Sequence, residues 1–195
     1  GKTPACWNAV DGKIRALPVY EIQETSTTVP LTLEANESLF VIFRKDDHAG
    51  KKNRSALNFP SVSAKVSITS AWTVRFDAES GGPVSPVVFD TLSDWSLNTN
   101  DRIKYYSGAA YYSNTFTVKR LNNNSRLLLN LGTVSVMAKV KVNGKAVGGV
   151  WTPPYTIDIT EAVKPGRNQI EVKVVNTWVN RLIGDMKLPE EKRKT

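Results

Sequence analysis

Chemistry in this sequence has to come from carboxylates, aromatic rings and amides, because the residues that most often carry it are scarce. There is one cysteine, Cys6, and one histidine, His48. A lone cysteine can neither close an internal disulfide nor supply a zinc cluster. His48 sits in the polar run Arg44-Lys45-Asp46-Asp47-His48-Ala49-Gly50-Lys51-Lys52-Asn53, which supplies no triad or metal partner, and it is read as a solvated loop histidine. Among the carboxylates, Asp90, Asp94 and Asp101 share one turn-rich segment and Glu79 stands just before it. Two carboxyls roughly 5–9.5 Å apart could act on a glycosidic bond as acid and base or acid and nucleophile, and a cluster could hold calcium. No Asp-x-Asp-x-Asp ligand run is present. The reading adopted is therefore turn-forming, locally paired carboxylates, with no catalytic residue assigned, no cofactor required, and calcium the one metal the set could take.

Aromatic rings offer a second chemistry. The apolar face of a pyranose packs on a ring while neighbouring amides and carboxylates meet its hydroxyls. Trp95, Tyr105, Tyr106, Trp151, Tyr155 and Trp178 all fall in expected loops or at strand ends. From these the candidate carbohydrate site takes Trp95, Tyr105 and Trp178 as platforms, with Asp94, Asn180 and Arg181 meeting hydroxyls. The competing reading for each ring is that it fills the core or faces a neighbouring domain.

The elements that would position these residues read as strands. Asp11-Gly12 is a turn signal that strands should flank, followed by alternation over Lys13 to Glu21 and Thr28 to Leu33 and an apolar run from Leu39 to Phe43. Arg44 to Pro60 is polar and basic and forms the expected boundary. Further strands are expected at Ala64 to Ile68, Ala71 to Phe76, Val87 to Phe89, Ala110 to Lys119, Arg126 to Leu131, Ser135 to Val142, Tyr155 to Ile159 and Gln169 to Val175. Asp90 to Ser107 is left as an irregular segment. Asn143-Gly144 is the strongest hairpin signal, and Lys164 to Asn168 forms a second turn. Trp178 and its neighbours are expected at a strand end. Short strands between turn residues predict an all-β chain: a small antiparallel β segment with linker over 1–60, then a jelly-roll β-sandwich over 61–195.

Composition bounds the partners. Of 195 residues, 41% are hydrophobic and 23% charged, as in soluble globular proteins. No apolar run reaches the roughly 20 residues of a spanning helix, so no membrane span is expected. The opening Gly1-Lys2-Thr3 has no apolar signal core, so any signal peptide is expected outside this chain. The net charge is +8. Basic residues cluster at Lys51, Lys52 and Arg54 and at Lys192, Arg193 and Lys194, while Lys139, Lys141 and Lys173 alternate singly, as on the wet face of a sheet. With no nucleic-acid-reading motif beside that charge, nucleic acid is not expected as a partner.

Particular segments carry a resemblance. Ser107 to Tyr112, Leu127 to Gly132, Ala138 to Gly148 and Pro153 to Thr160 look like the sugar-binding, galactose-binding-like jelly roll of family 2 and related glycoside hydrolases. Leu92 to Ser96, Ile103 to Gly108, Asn176 to Asp185 and Leu188 to Glu191 resemble the C-terminal end of large α-L-rhamnosidase-type enzymes, glycoside hydrolase family 106. Trp7 to Gly12 and Ser38 to Phe43 look, more loosely, like the segment before that jelly roll. The resemblance implies a non-catalytic C-terminal accessory domain that supports a catalytic barrel lying upstream in the same polypeptide. It also implies contact with carbohydrate, such as a rhamnose-containing polysaccharide, and a secreted, periplasmic or cell-surface location. Two alternatives stand beside it: an independent carbohydrate-binding module, marked by an aromatic groove, and a hydrolase in its own right, marked by a close carboxylate pair.

Overall fold

The computed structural model describes residues 2–9, 12–33, 35, 37–45, 57–59, 62–120 and 126–193. His48, the cluster Lys51, Lys52 and Arg54, and Asp11 lie outside them. The chain divides into two compact units, Gly1–Val66 and Ser67–Thr195.

In the first unit, β1 (Thr3–Trp7) lies between β2 (Ile14–Ala16) and β5 (Phe40–Arg44), antiparallel to both, and β3 (Glu21–Ile22) pairs with β4 (Thr27–Thr28). Asn8 and Lys13 close the β1–β2 hairpin, with Asn8 accepting from Gly12 N. Lys13 to Glu21 thus contributes two short strands rather than one. Thr28 to Leu33 leaves the sheet after Thr28, and Leu31 and Leu33 are exposed. Pro30 explains the departure, since it has no N–H for a ladder. Asn58, inside the stretch read as a boundary, is buried: its carboxamide accepts from Val19 N and donates to Val19 O and Pro30 O.

The second unit is a β-sandwich. Its strands are β6 (Trp72–Phe76), β7 (Val87–Phe89), β8 (Ala109–Val118), β9 (Leu128–Asn130), β10 (Met137–Val142), β11 (Lys145–Val150), β12 (Thr156–Asp158) and β13 (Gly166–Val175). Six form an antiparallel sheet in the order β11-β10-β13-β8-β6-β7, and β9 pairs with β12 in a second, small sheet. Alternation decides which face is buried. Val74, Tyr112, Val172 and Val140 are successive cross-strand partners over β6, β8, β13 and β10, and all four point into the core. Ile157 of β12 closes over that face, with its methyl 3.9 Å from where a Cβ on Gly148 would stand. Lys139, Lys141 and Lys173 occupy the opposite, solvent side, as their spacing predicts.

The Asn143-Gly144 turn joins β10 to β11 with both residues at positive φ, +52° and +80°, the conformation that matches the twist of paired strands. Asn143 also ties this end to Asn168, whose fully buried carboxamide closes the Lys164–Asn168 turn through Lys164 N, Lys164 O and Gly166 O.

Three expectations are corrected. Ala64 to Ile68 is not a strand, although Ile68 packs on the core. The segment from Asp90 to Ser107 contains a 3-10 turn (Trp95–Leu97) and a short helix α1 (Asp101–Lys104). The residues after β13 form helix α2 (Val179–Asp185), not a strand end. Its period is legible in Asn180, Ile183, Gly184 and Lys187, spaced i, i+3, i+4, i+7.

Candidate functional site

Strand register places several loops at one end of the sandwich, because Val175 pairs with both Ala109 and Met137, Phe76 with Ala110, and Val150 with Ala138. The segments after β6, before β8 and after β13 emerge there. Small polar side chains shape them. Asp94 accepts from Ser96 N, Asn98 from Asn100 N and Asn100 from Arg102 N, a succession of i to i+2 bonds that turns the chain through the 3-10 turn into α1. Asn176 accepts from Gly108 N and donates to Tyr106 O, fixing where β13 hands over to α2.

The six residues proposed from sequence fall in five different environments. Trp95 is 6% exposed and lies in the core, edge-on to Phe76 and Tyr106, with its indole N–H donating to the Tyr112 hydroxyl at 2.6 Å. It has no face to offer a sugar. Asp94 spends one carboxylate oxygen on the Ser96 turn. Arg181 is structural: its guanidinium donates to Ser80 O and its backbone N–H to Ser107 Oγ. The guanidinium lies so close to Gly81, which has φ +87°, that a Cβ there would stand 2.5 Å from Nη2. Trp178, by contrast, is 66% exposed at the start of α2.

Tyr105 and Asn180 do come together. With Ser96, Lys104, Ile183 and Lys187 they line a depression of about 150 Å³. This is below the roughly 300–1,000 Å³ of pockets that enclose a small molecule, so it is an open depression and not an enclosing pocket. Gly184 makes it possible, because a Cβ at that helix position would lie 2.7 Å from Tyr105 Cβ. Lys187 Nζ donates to the Tyr105 hydroxyl at 2.7 Å, and both Lys187 and Lys104 lie over its ring, at 5.1 and 5.8 Å from the centroid. That hydrogen bond, helped by the charge of Asp101, raises the pKa of Lys187 above the usual lysine value. Sequence reading missed Lys104 and Lys187; the helical spacing of Asn180 and Lys187 was the signal that could have found the second.

A different feature covers the outside of α2. Trp178, Val179, Leu182, Ile183, Met186 and Leu188 are all exposed, forming a continuous apolar ridge. The carboxylates show no such gathering. Asp77 has its pKa lowered by the Ser80 hydroxyl and by backbone N–H groups, the opposite of what a general acid needs. Among the described residues, no three His, Cys, Asp or Glu side chains converge on a point that could hold a metal. Among them, too, no helix is long and apolar enough to cross a membrane.

Comparison with known proteins agrees with this architecture. A rhamnosidase structure from Novosphingobium sp. PP1Y superposes on the whole chain with a TM-score of 0.89 and 38% identity, the chain covering 18% of that protein. A Formosa agariphila protein named "Putative beta-glucuronidase" is 46% identical over 136 residues, which are 69% of this chain and 12% of that protein. A second F. agariphila protein of the same name is 31% identical over 104 residues, again 12% of its length. The chain thus spans less than a fifth of each of these relatives and corresponds to a small domain of much larger glycoside hydrolases. Residues 91–192, more than half of the chain, match the family model described as glycosyl hydrolase 2 galactose-binding domain-like, and the chain belongs to that family.

Proposed function

We propose that the chain is a non-catalytic accessory domain that docks on the catalytic domain of its own polypeptide through the exposed face of α2, and that it lends carbohydrate a contact beside that interface. The observation that carries this reading is the apolar ridge of Trp178, Val179, Leu182, Ile183 and Met186. Scattered apolar residues are normal on a surface, but a contiguous ridge on one helix marks a surface built to be covered. The catalytic domain is the natural occupant, since the relatives are glycoside hydrolases several times longer. The depression at Tyr105 and Asn180 borders the ridge through Ile183, so a glycan reaching it would lie next to the docked domain. The glycan follows from the rhamnosidase match and would be rhamnose-containing; a secreted, periplasmic or cell-surface setting goes with a polysaccharide substrate.

The test uses the full parent enzyme beside the isolated chain. Leu182→Glu with Met186→Glu should lower the thermal midpoint and activity of the parent while leaving the isolated chain's unfolding unchanged, and a parent indifferent to both charges would sink the docking reading. The isolated chain should not turn over aryl rhamnosides or aryl glucuronides; activity abolished by Asp94→Asn or Asp101→Asn would make it a hydrolase instead. For sugar contact, rhamnose-containing oligosaccharides should shift the Tyr105 and Asn180 NMR signals in the isolated chain. The response should be absent at Trp95, which is sealed in the core.

A further inference from the structure

The solvent face of the six-stranded sheet has its own organisation. Arg75 on β6, Tyr111 on β8, Lys173 on β13 and Lys139 on β10 are successive cross-strand partners, forming one row over four adjacent strands. Neighbouring strands are about 4.8 Å apart, so the row sets Lys139 and Lys173 one strand spacing apart and Arg75 two spacings from Lys173, with Tyr111 between them. Tyr111, 37% exposed, stands between two of them, with the Arg75 guanidinium 4.7 Å and the Lys173 ammonium 5.5 Å from its ring centroid. Cation–π contact on the ring holds both side chains to it rather than letting them sweep freely.

The row carries an unfavourable feature. Lys139 and Lys173 are directly opposite each other, and like charges so placed repel. Among the described residues neither has a carboxylate within ion-pair distance. Glu171, on the same face of β13, has Lys141 as its own cross-strand partner. Gly149, opposite Lys139, has no room for a side chain: a Cβ there would lie 2.8 Å from Ala138 O and 3.3 Å from Lys139 Cγ. A protein-covered surface would be made differently, because lysine and glutamate are depleted at interface centres.

We propose that this face binds an anionic polysaccharide, one bearing carboxylate or sulfate groups, laid across the strands along the Arg75–Tyr111–Lys173–Lys139 row. The negative groups of the chain relieve the Lys139–Lys173 repulsion, and an extended chain crossing the strands passes all three cations of the row. This surface is separate from the depression at Tyr105 and from the α2 ridge, and it does not depend on either being correct.

The experiment is affinity electrophoresis of the whole chain through gels carrying polygalacturonate, heparin or dextran, with duplex DNA as competitor. Retardation is expected in the first two and not in dextran, weakening as salt rises; retardation by only one of the two also supports the proposal and assigns the group as carboxylate or sulfate. Lys139→Gln with Lys173→Gln should weaken binding about tenfold, while its thermal midpoint stays level or rises because the repulsive pair is gone. Glu171→Gln should strengthen binding. Arg75→Gln, at the far end of the row, supplies an independent reading should the double variant fold poorly. Undiminished binding in both variants, equal retardation by dextran, or displacement by DNA at lower concentration than by either glycan would each overturn the proposal.

Discussion

Trp95 and Trp178 show how one residue type takes opposite roles at sites that look alike in sequence. Trp95 is enclosed by Phe76 and Tyr106, and its polar handle is satisfied by the Tyr112 hydroxyl. Burial raises the pKa of that hydroxyl, against the opposing effect of the Trp95 hydrogen bond, so it stays protonated and neutral at physiological pH. Tyr112→Phe removes the acceptor and leaves a buried indole N–H without a partner, which should cost about 1–3 kcal/mol in urea unfolding. Trp178→Ala, at an exposed position, should change the stability of the isolated chain by no more than about 0.5 kcal/mol. A Trp178→Ala cost as large as that of Tyr112→Phe would mean that Trp178 is packed in solution.

Among the elements, the small β9–β12 sheet is held by a short polar network instead of long ladders. Asp158 accepts from Thr160 N and Oγ and from both Arg126 Nε and Nη2, and Thr160 Oγ in turn accepts from Leu127 N. Partial burial works against ionising Asp158, but the Thr160 and Arg126 bonds outweigh it and its pKa lies below the usual aspartate value. The stability this gives is fully present above the unfolded pKa of about 3.9 and is lost as pH falls through the lowered folded value. Asp158→Ala should therefore cost about 1–2 kcal/mol near neutral pH, a modest figure because the ion pair is partly exposed. The deficit should shrink below about pH 4. Urea titrations of both proteins from neutral to acid pH check this, and a deficit independent of pH would assign the cost to packing.

At the scale of the molecule, Ser67–Thr195 encloses a core of its own, from Trp72 and Val74 through Val140 and Val142 to Ile170 and Val172. A unit with a complete core should fold without help. A chain of residues 67–195 should give a cooperative thermal transition and the near-UV signal of packed Trp95, with a far-UV spectrum dominated by strand. Loss of the near-UV band with retained far-UV signal would show that the first unit is needed for packing. Within the core, Ile170→Ala should cost about 2–5 kcal/mol, as expected for emptying a fully buried position.

Much of this architecture was legible from residue order alone. Period-two alternation marked β6, β8, β10 and β13 and put Lys139, Lys141 and Lys173 on the wet face, and Asn143-Gly144 marked its hairpin, because these signals are local. The family was legible for the same reason, in contiguous segments such as Ala138 to Gly148. Local signals also misled. Thr28 to Leu33 alternates as a strand does, yet Pro30 cannot join a ladder; Trp178 to Asp185 follows a strand and looks like its end, although Asn180, Ile183 and Gly184 keep a helical period. Which aromatic is core and which is surface was decided only by tertiary structure. Trp95 and Trp178 each sit beside polar residues in turn-rich sequence, and their burial depends on Phe76, Tyr106 and Tyr112, which reach Trp95 from other segments. The same holds for Arg181, drawn away from any sugar by the Ser80 carbonyl 101 residues earlier, and for the Lys139–Lys173 pair, whose opposition exists only once the register of β10 and β13 is set.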